Sequence, residues 1–275
     1  AASSSMHDEP TTITQLLHLE SHGPDTWIGG GPRYEWGRVY GGQVVAQALR
    51  AAAHTVDDGF LVHSLHAYFI RGGDIDQPIR YEVDRLRDGR SFVTRQVEAR
   101  QSGGAILSLS ASFHVDEDGE RAQPLEAPTV PGPDEGVDET WSPIFRHVEI
   151  DLGPRPARSQ AWMRVVEELD DDDPVLHACA LAFVSDDNPM SSIAAASVAH
   201  PPPADGFDDV WMGASLDHSL WIHEPLRVDR WHLFDLQTQR LGGSRGLATG
   251  QVFDGDGLHV ATVAQEGLLR RRRPR

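Results

Sequence analysis

Three polar residues in the C-terminal half of the chain sit where their surroundings do not call for them. Asp186, in Ser185-Asp186-Asp187-Asn188-Pro189, follows the apolar run Val175 to Phe183. A carboxylate at the C-terminal end of a helix opposes the helix dipole, so no structural need places Asp186 there. Ser215 stands in Ala214-Ser215-Leu216-Asp217-His218-Ser219-Leu220-Trp221, a strand opening with dense polarity between apolar flanks. Gln265, in Val263-Ala264-Gln265-Glu266-Gly267, interrupts the last apolar strand. A carboxylate, a hydroxyl and a carboxamide brought together can hold and polarise one water, with the carboxylate taking its proton. Taken singly, each also serves as a cap, a turn or an edge residue, so spacing alone leaves both readings open.

Other chemistries fit the sequence less well. Gly242-Gly243-Ser244-Arg245-Gly246 matches a nucleophile elbow, and Asp254, Asp256 and His259 follow in hydrolase order. An elbow needs a helix directly after it, whereas Leu247 to Phe253 reads as a strand, so a hairpin turn is expected. The 24 cationic residues are all Arg, which excludes a Schiff-base lysine and a P-loop. Fourteen histidines include no H-E-x-x-H, and the single Cys179 cannot build a zinc module, so no metal and no cofactor is expected. Gly29-Gly30-Gly31 lacks the parallel βαβ context of a dinucleotide fingerprint.

A formal charge of −18 over 275 residues argues against nucleic acid as a partner, because such binding rests on neutralising phosphates. No run approaches the ~18 apolar residues that span a bilayer, so no stable membrane insertion is expected. One Cys suits a reducing compartment, and the chain is read as cytoplasmic. Ala1 to Ser5, before Met6, is read as a non-native leader, and the arginines from Arg270 to Arg275 as a solvated terminus.

The elements that must position the three polar residues fall into two similar sets. Gln43 to Ala53, after Gly41-Gly42, is Ala-rich and free of Gly and Pro, and reads as a buried helix. Val175 to Phe183 reads as a second, begun by acidic Asp170 to Asp173 and by Pro174. Strand patterns follow the first helix at 61–70, 79–86, 91–100 and 105–115, and the second at 213–223, 231–240, 246–253 and 258–269. Thr94-Arg95-Gln96-Val97 recurs as Thr249-Gly250-Gln251-Val252, and Tyr81-Glu82-Val83 as Phe234-Asp235-Leu236. His66-Ala67-Tyr68-Phe69-Ile70 recurs as His218-Ser219-Leu220-Trp221-Ile222.

This order points to an internal duplication of a helix wrapped by a curved antiparallel sheet. The expected class is α+β, a double hot-dog. Residues 6–115 form the N-terminal repeat and residues 146–270 the C-terminal repeat with the catalytic residues. Between them, residues 116–145 read as an acidic, Pro-rich linker, and Pro201 to Gly206 as a surface loop.

The sequence resembles the acyl-CoA thioesterase II family of double hot-dog thioesterases from about Leu16 to Arg270. The resemblance rests on Val39-Tyr40-Gly41-Gly42-Gln43-Val44-Val45, Val62-His63-Ser64-Leu65-His66-Ala67-Tyr68-Phe69 and Leu86-Arg87-Asp88-Gly89-Arg90-Ser91-Phe92. Leu216-Asp217-His218-Ser219-Leu220-Trp221 and Ala264-Gln265-Glu266-Gly267 complete it. It implies hydrolysis of a fatty acyl-CoA to free fatty acid and CoA, with the acid, hydroxyl and carboxamide falling on Asp186, Ser215 and Gln265. The family's hydroxyl is a Thr or a Ser, here the smaller Ser215, and an apolar residue is expected where Asp187 stands. Membership also implies a homo-oligomer. Arg90 and Arg245, in matching turns of the two repeats, are candidates for the CoA phosphates, with exposed scaffold charge as the alternative.

Two rival functions remain open. A hot-dog enoyl-CoA hydratase would use a run like Asp186-Asp187-Asn188-Pro189-Met190. Ser191 replaces the His such a run needs, and the run is read as following a helix rather than preceding one. A non-catalytic acyl-CoA binding or sensing protein is the other.

Overall fold

Period-two burial and two buried helices appear where the patterns place them. The computed structural model describes residues 10–153, 157–170, 173–197 and 211–272. The Ala1–Ser5 leader, Asp171 and Asp172, the Pro201–Gly206 loop and the last three residues lie outside the described residues.

A short helix α1 (Ile13–Leu16) leads to strands β1 (Glu20–Ser21) and β2 (Thr26–Gly29) and to the long helix α2 (Gly41–Ala53). Four strands follow: β3 (Phe60–Phe69), β4 (Ile79–Asp88), β5 (Phe92–Gln101) and β6 (Gly104–Val115). After a connection come β7 (Val137–Asp138), β8 (Phe145–Glu149), β9 (Arg158–Val165) and the helices α3 (Pro174–Ser185) and α4 (Pro189–Ala195). The chain closes with β10 (Trp211–Ser215), β11 (Asp217–Ile222), β12 (His232–Gly242), β13 (Arg245–Phe253) and β14 (His259–Arg271).

All fourteen strands belong to one antiparallel sheet, ordered β1-β2-β4-β5-β6-β3-β11-β14-β13-β12-β9-β8-β7, with β10 beside β14. The centre of that order shows the duplication. β4-β5-β6-β3 on one side of the β3–β11 seam is answered by β12-β13-β14-β11 on the other. Thr94 and Thr249, from the recurring tetrapeptide, sit on the corresponding strands β5 and β13. This is the double hot-dog arrangement.

α2 and α3 fill the concave side and pack on each other through small side chains. Ala46, Ala48, Ala51 and Ala52 face a core that includes Cys179, Ala180, Ala182 and Phe183, all buried. Each large apolar side chain withdrawn here, such as Leu49 or Leu181, contributes about 1.5–3 kcal/mol relative to exposure. The helices run antiparallel: Gly42 lies against the Phe183 carbonyl, and Arg50, at the other end of α2, approaches Asp173. No helix among the described residues is long and apolar enough to cross a membrane.

Several expectations are corrected. The strand read over 213–223 breaks at Leu216, whose N–H donates to the Glu266 carbonyl while its own carbonyl accepts from Phe69. Ser215 pairs with Gly267 and Ser219 with Ala264, so β10 and β11 carry one residue more than β14 over this stretch, a bulge. The Asp186–Met190 run does follow a helix, but it also directly precedes one, α4, with Pro189 at its first position. The position of the run therefore no longer argues against the hydratase, and only Ser191 does. The segment read as linker is anchored: the Gln123 side chain pairs with Gly257 and His259, and the Trp162 indole with the Pro131 carbonyl. The hairpin turn expected at the apparent elbow is present: Gly243 and Ser244 form a two-residue loop, both at positive φ.

An added Cβ on Gly42 would lie 2.3 Å from the Phe183 carbonyl oxygen, a backbone atom that cannot swing away. Gly42→Ala is expected to cost about 1–3 kcal/mol by overpacking the α2–α3 contact. A urea midpoint equal to that of the wild type would refute this account of the packing.

Candidate active site

The three polar residues converge where the end of α3, the start of α2 and the β10–β11 break meet. Asp186 is the C-cap of α3, and its N–H donates to the Val184 carbonyl. Its side chain is buried, 5% exposed, against the first residues of α2. The Gly42 N–H bonds to it, and a Cβ on Gly41 would stand 2.5 Å from its Oδ2. Tyr40, which precedes α2, offers no side-chain cap. Its hydroxyl donates instead to the Phe183 carbonyl in the last turn of α3, at 2.9 Å.

Ser215 donates to Asp186 Oδ1 at 3.4 Å and accepts from Gln265 Nε2 at 2.8 Å. Gln265, fully buried on β14, accepts at Oε1 from His218 Nδ1 at 2.6 Å. His218 Nε2 faces the Ser185 hydroxyl at 2.9 Å. A carboxamide oxygen can only accept, so the His218 proton is on Nδ1 and Nε2 is the acceptor. Burial lowers the His218 pKa to about 4 against the opposing Gln265 bond, so the ring is neutral. It lies 4.0 Å from Asp186 Oδ1 without forming an ion pair at neutral pH. The result is a directed chain: His218 fixes the Gln265 amide, Gln265 fixes the Ser215 hydroxyl, and Ser215 points at Asp186. Asp217 holds the break itself, its Oδ1 accepting from the Glu266 N–H at 2.6 Å.

Asp186 is raised from 3.8 to about 7, first by burial and then by the charge of Asp187. The Gly42 N–H, Gln265 and Ser215 act the other way, favouring the ionised form. A carboxyl poised near neutrality suits a general base.

Sequence reasoning found Asp186, Ser215 and Gln265, but assigned no role to His218, Gly41 or Gly42. Their signal was present in the segments carrying the resemblance, though not the contacts they make. Asp187 bonds the Trp141 indole at 2.6 Å and His147 at 2.7 Å, which places a residue of the supposed linker beside the site. A cavity of about 580 Å³ flanks this side, lined by Trp141, His147, Glu149, Ser159, Asp187 and Ser191.

The two arginines do not join the site. Arg90 lies in the exposed β4–β5 turn, beside Val115 and hence at the Phe60 end of β3. Phe69, at the other end of that ten-residue strand, is the one that touches the site, roughly 30 Å away at ~3.3 Å per residue. Arg245 pairs with Glu266 at 2.9 Å, and Glu266 points to the face opposite its neighbour Gln265. No group of three or more His, Cys, Asp or Glu side chains that could hold a metal occurs among the described residues.

Comparison with known proteins identifies the family. Residues 32–114 match the profile of the acyl-CoA thioesterase N-terminal domain, and residues 117–269 that of the acyl-CoA thioesterase C-terminal domain. Acyl-coenzyme A thioesterase 8 of Rattus norvegicus is 34% identical over 293 aligned positions, covering 94% of this chain and 88% of the relative. The crystal structure of the acyl-CoA thioesterase II TesB2 from Mycobacterium marinum superposes with a TM-score of 0.79 at 37% identity, covering 96% of this chain and 98% of that one. A hot-dog protein from Alicyclobacillus acidocaldarius, 17% identical, shares the fold with a TM-score of 0.78, covering 96% of this chain and 98% of its own.

The raised pKa of Asp186 carries a stability consequence. Between 3.8 and about 7 the folded chain holds this proton and the unfolded chain does not, so folding stability falls as pH rises through that window. Asp186→Asn is therefore expected to raise Tm at pH 8 by a few degrees or more, on the order of 2–4 °C per kcal/mol relieved, and by less at pH 5. Equal shifts at the two pH values would contradict the buried, half-titrated carboxyl.

Proposed function

The chain belongs to the acyl-CoA thioesterases and hydrolyses acyl-CoA to the free acid and CoA, and we propose that Asp186, Ser215 and Gln265 direct a water at the thioester. The acyl group in this reading is that of a fatty acid. The observation that carries the proposal is the chain of hydrogen bonds from His218 through Gln265 and Ser215 to Asp186, set against the start of α2.

Asp186 accepts the proton of a water held by its carboxylate and the Ser215 hydroxyl as the water oxygen bonds to the thioester carbon. Fixing the water beside the carbonyl supplies part of the rate by orientation alone. The oxyanion that forms is met by the first turn of α2 at an N–H other than that of Gly42, which Asp186 holds; Tyr40 leaves this turn uncapped by its side chain, and the helix dipole favours negative charge there. When the tetrahedral species collapses, the C–S bond breaks. The proton on Asp186 passes to the departing sulfur, giving free acid and CoA thiol. Thiolate is a good leaving group, so a water and one base suffice.

Residues 6–115 supply the α2 terminus in this reading and residues 146–270 the base, hydroxyl and amide. Residues 116–145 connect the two and bring Trp141 alongside. We place the reaction in the cytoplasm, in keeping with a free, buried Cys179 whose thiol is pushed up to about 12 by burial.

We further propose a homo-oligomer formed through the outer face of the sheet. Its support is Tyr68, 67% exposed on the central strand β3, while the edge strands β1 and β7 are two residues long and offer little to pair with. Light scattering on a sizing column is expected to give a multiple of the chain mass, reduced by Tyr68→Glu. A wild-type monomer at micromolar concentration would end this idea.

The activity test is thiol release from medium- and long-chain acyl-CoA. Its rate is expected to rise with pH and level off above about 7, as Asp186 ionises. Asp186→Asn is expected to lower kcat on the order of 10²–10⁴-fold, the usual worth of a general base. Thiol release indifferent to that substitution would remove Asp186 from the mechanism. Hydration of an enoyl-CoA without thiol release would favour the hydratase, and binding without chemistry the sensor.

A further inference from the structure

Asp187 follows Asp186 directly, yet its carboxylate is bound into a separate, partly buried cluster on the cavity wall. Oδ1 accepts from the Trp141 indole at 2.6 Å, and Oδ2 faces His147 Nδ1 at 2.7 Å. The other ring nitrogen of His147, Nε2, faces Glu149 Oε2 at 3.1 Å. Glu149 accepts in turn from the Ser159 hydroxyl at 3.1 Å. His147 is 5% exposed, on β8. Ionised carboxylates accept but do not donate, so an imidazole with one on each nitrogen is satisfied only with both nitrogens protonated. Burial alone would lower its pKa, but the bonds to Asp187 and Glu149 outweigh it and bring the pKa to about 9. Arg146, the neighbouring cation on β8, turns to Asp138 instead.

We infer that His147 and Asp187 are positioning residues for the base: the bonds from His147 and Trp141 fix the Asp187 carboxylate beside Asp186, and a carboxylate held there shifts the pH at which Asp186 becomes active. This rests on the reading of Asp186 as general base.

The surroundings of Asp186 make the assignment specific. From β11 it faces His218, which is neutral, and from the segment before α2 it faces Tyr40, whose pKa burial and the nearby carboxylates push up. From β10, β14 and α2 it meets a hydroxyl, an amide and a backbone N–H. Among the described residues, the charge that acts on it is that of Asp187. Its placement is fixed at three points: by its own backbone, its N–H donating to the Val184 carbonyl, by Trp141 and by His147. A free surface carboxylate would be screened by solvent, whereas one clamped and partly buried keeps more of its effect.

The test combines a pH profile with a spectroscopic one. In Asp187→Asn the acid limb of kcat/KM is expected to move down by about one pH unit, the usual effect of removing one close like charge, whatever the height of the plateau. In the wild type, ¹⁵N NMR of His147 is expected to show both ring nitrogens protonated at pH 8, and in Asp187→Asn a ring deprotonating at lower pH. A limb that stays in place in Asp187→Asn, or a neutral His147 at pH 8 in the wild type, overturns the inference. Asp186→Asn separates this failure from that of the underlying reading. If that variant stays active, Asp186 is not the base. If it is inactive while the Asp187→Asn limb is unmoved, only the clamp is wrong.

Discussion

A carboxylate at the wrong end of its helix is the constraint around which this structure is arranged. Asp186 caps α3, where the dipole and the free carbonyls disfavour a negative charge. The fold answers by running α2 antiparallel to α3, so that the N-terminus of one helix meets the C-terminus of the other. The Gly42 N–H then reaches the carboxylate, and the Tyr40 hydroxyl satisfies a carbonyl of the last α3 turn. This contact exists only because Gly41 and Gly42 carry no side chain, since a Cβ on either would strike Asp186 or the Phe183 backbone. Opposing terms leave the carboxyl near neutrality: burial and Asp187 push it up, while the helix start and two hydrogen bonds draw it back.

The sheet supplies the other half of the site through an irregularity. Continuous pairing of one strand across 213–223 would carry Ser215 along the regular ladder. The extra residue between Ser215 and Ser219 breaks it, and Asp217 and Leu216 spend their hydrogen bonds on Glu266 and Phe69 to hold the break open. Gln265 can therefore remain fully buried with both ends of its amide engaged, one by His218 and one by Ser215. A buried amide with both partners fixed has one orientation, and that orientation aims the hydroxyl.

Much of this was legible in the sequence, for an identifiable reason. Asp186 and Gln265 each interrupt an apolar run, and such interruptions are costly unless a partner repays them. The duplication was legible because strands on the two sides of the β3–β11 seam keep similar residues, as Thr94 and Thr249 do. Chain spacing does not say which end of a strand, or which face, a side chain occupies, and the turn arginines stand apart from the three polar residues, Arg90 at the far end and Arg245 on the far face. His147 and Trp141 were invisible for a related reason. Their partner, Asp187, lies 40 and 46 residues away in the chain, and spacing does not show which side chains the fold brings together. α4 was missed because it is a single helix of 7 residues, too short to show a helical period.

The duplication also raises the question of why one site and not two. The C-cap of α2, the position corresponding to Asp186, is His54, stacked on Trp27 rather than facing a hydroxyl and an amide. The opposing helix start differs as well. α3 begins at Asp173, whose own side chain accepts from the Leu176 N–H at 2.8 Å and so closes off the donors a substrate oxyanion would need. α2 begins at Tyr40, which has no side-chain acceptor directed at its first turn, so the Gly42 N–H is left to bond Asp186. Capping stabilises a helix, and at α3 it does so at the expense of an anion site. At α2 the cap is forgone, and a carboxylate from the other repeat stands in its place. In the proposed mechanism, the asymmetry of the two helix starts is what distinguishes the end of the scaffold that holds Asp186 from the other.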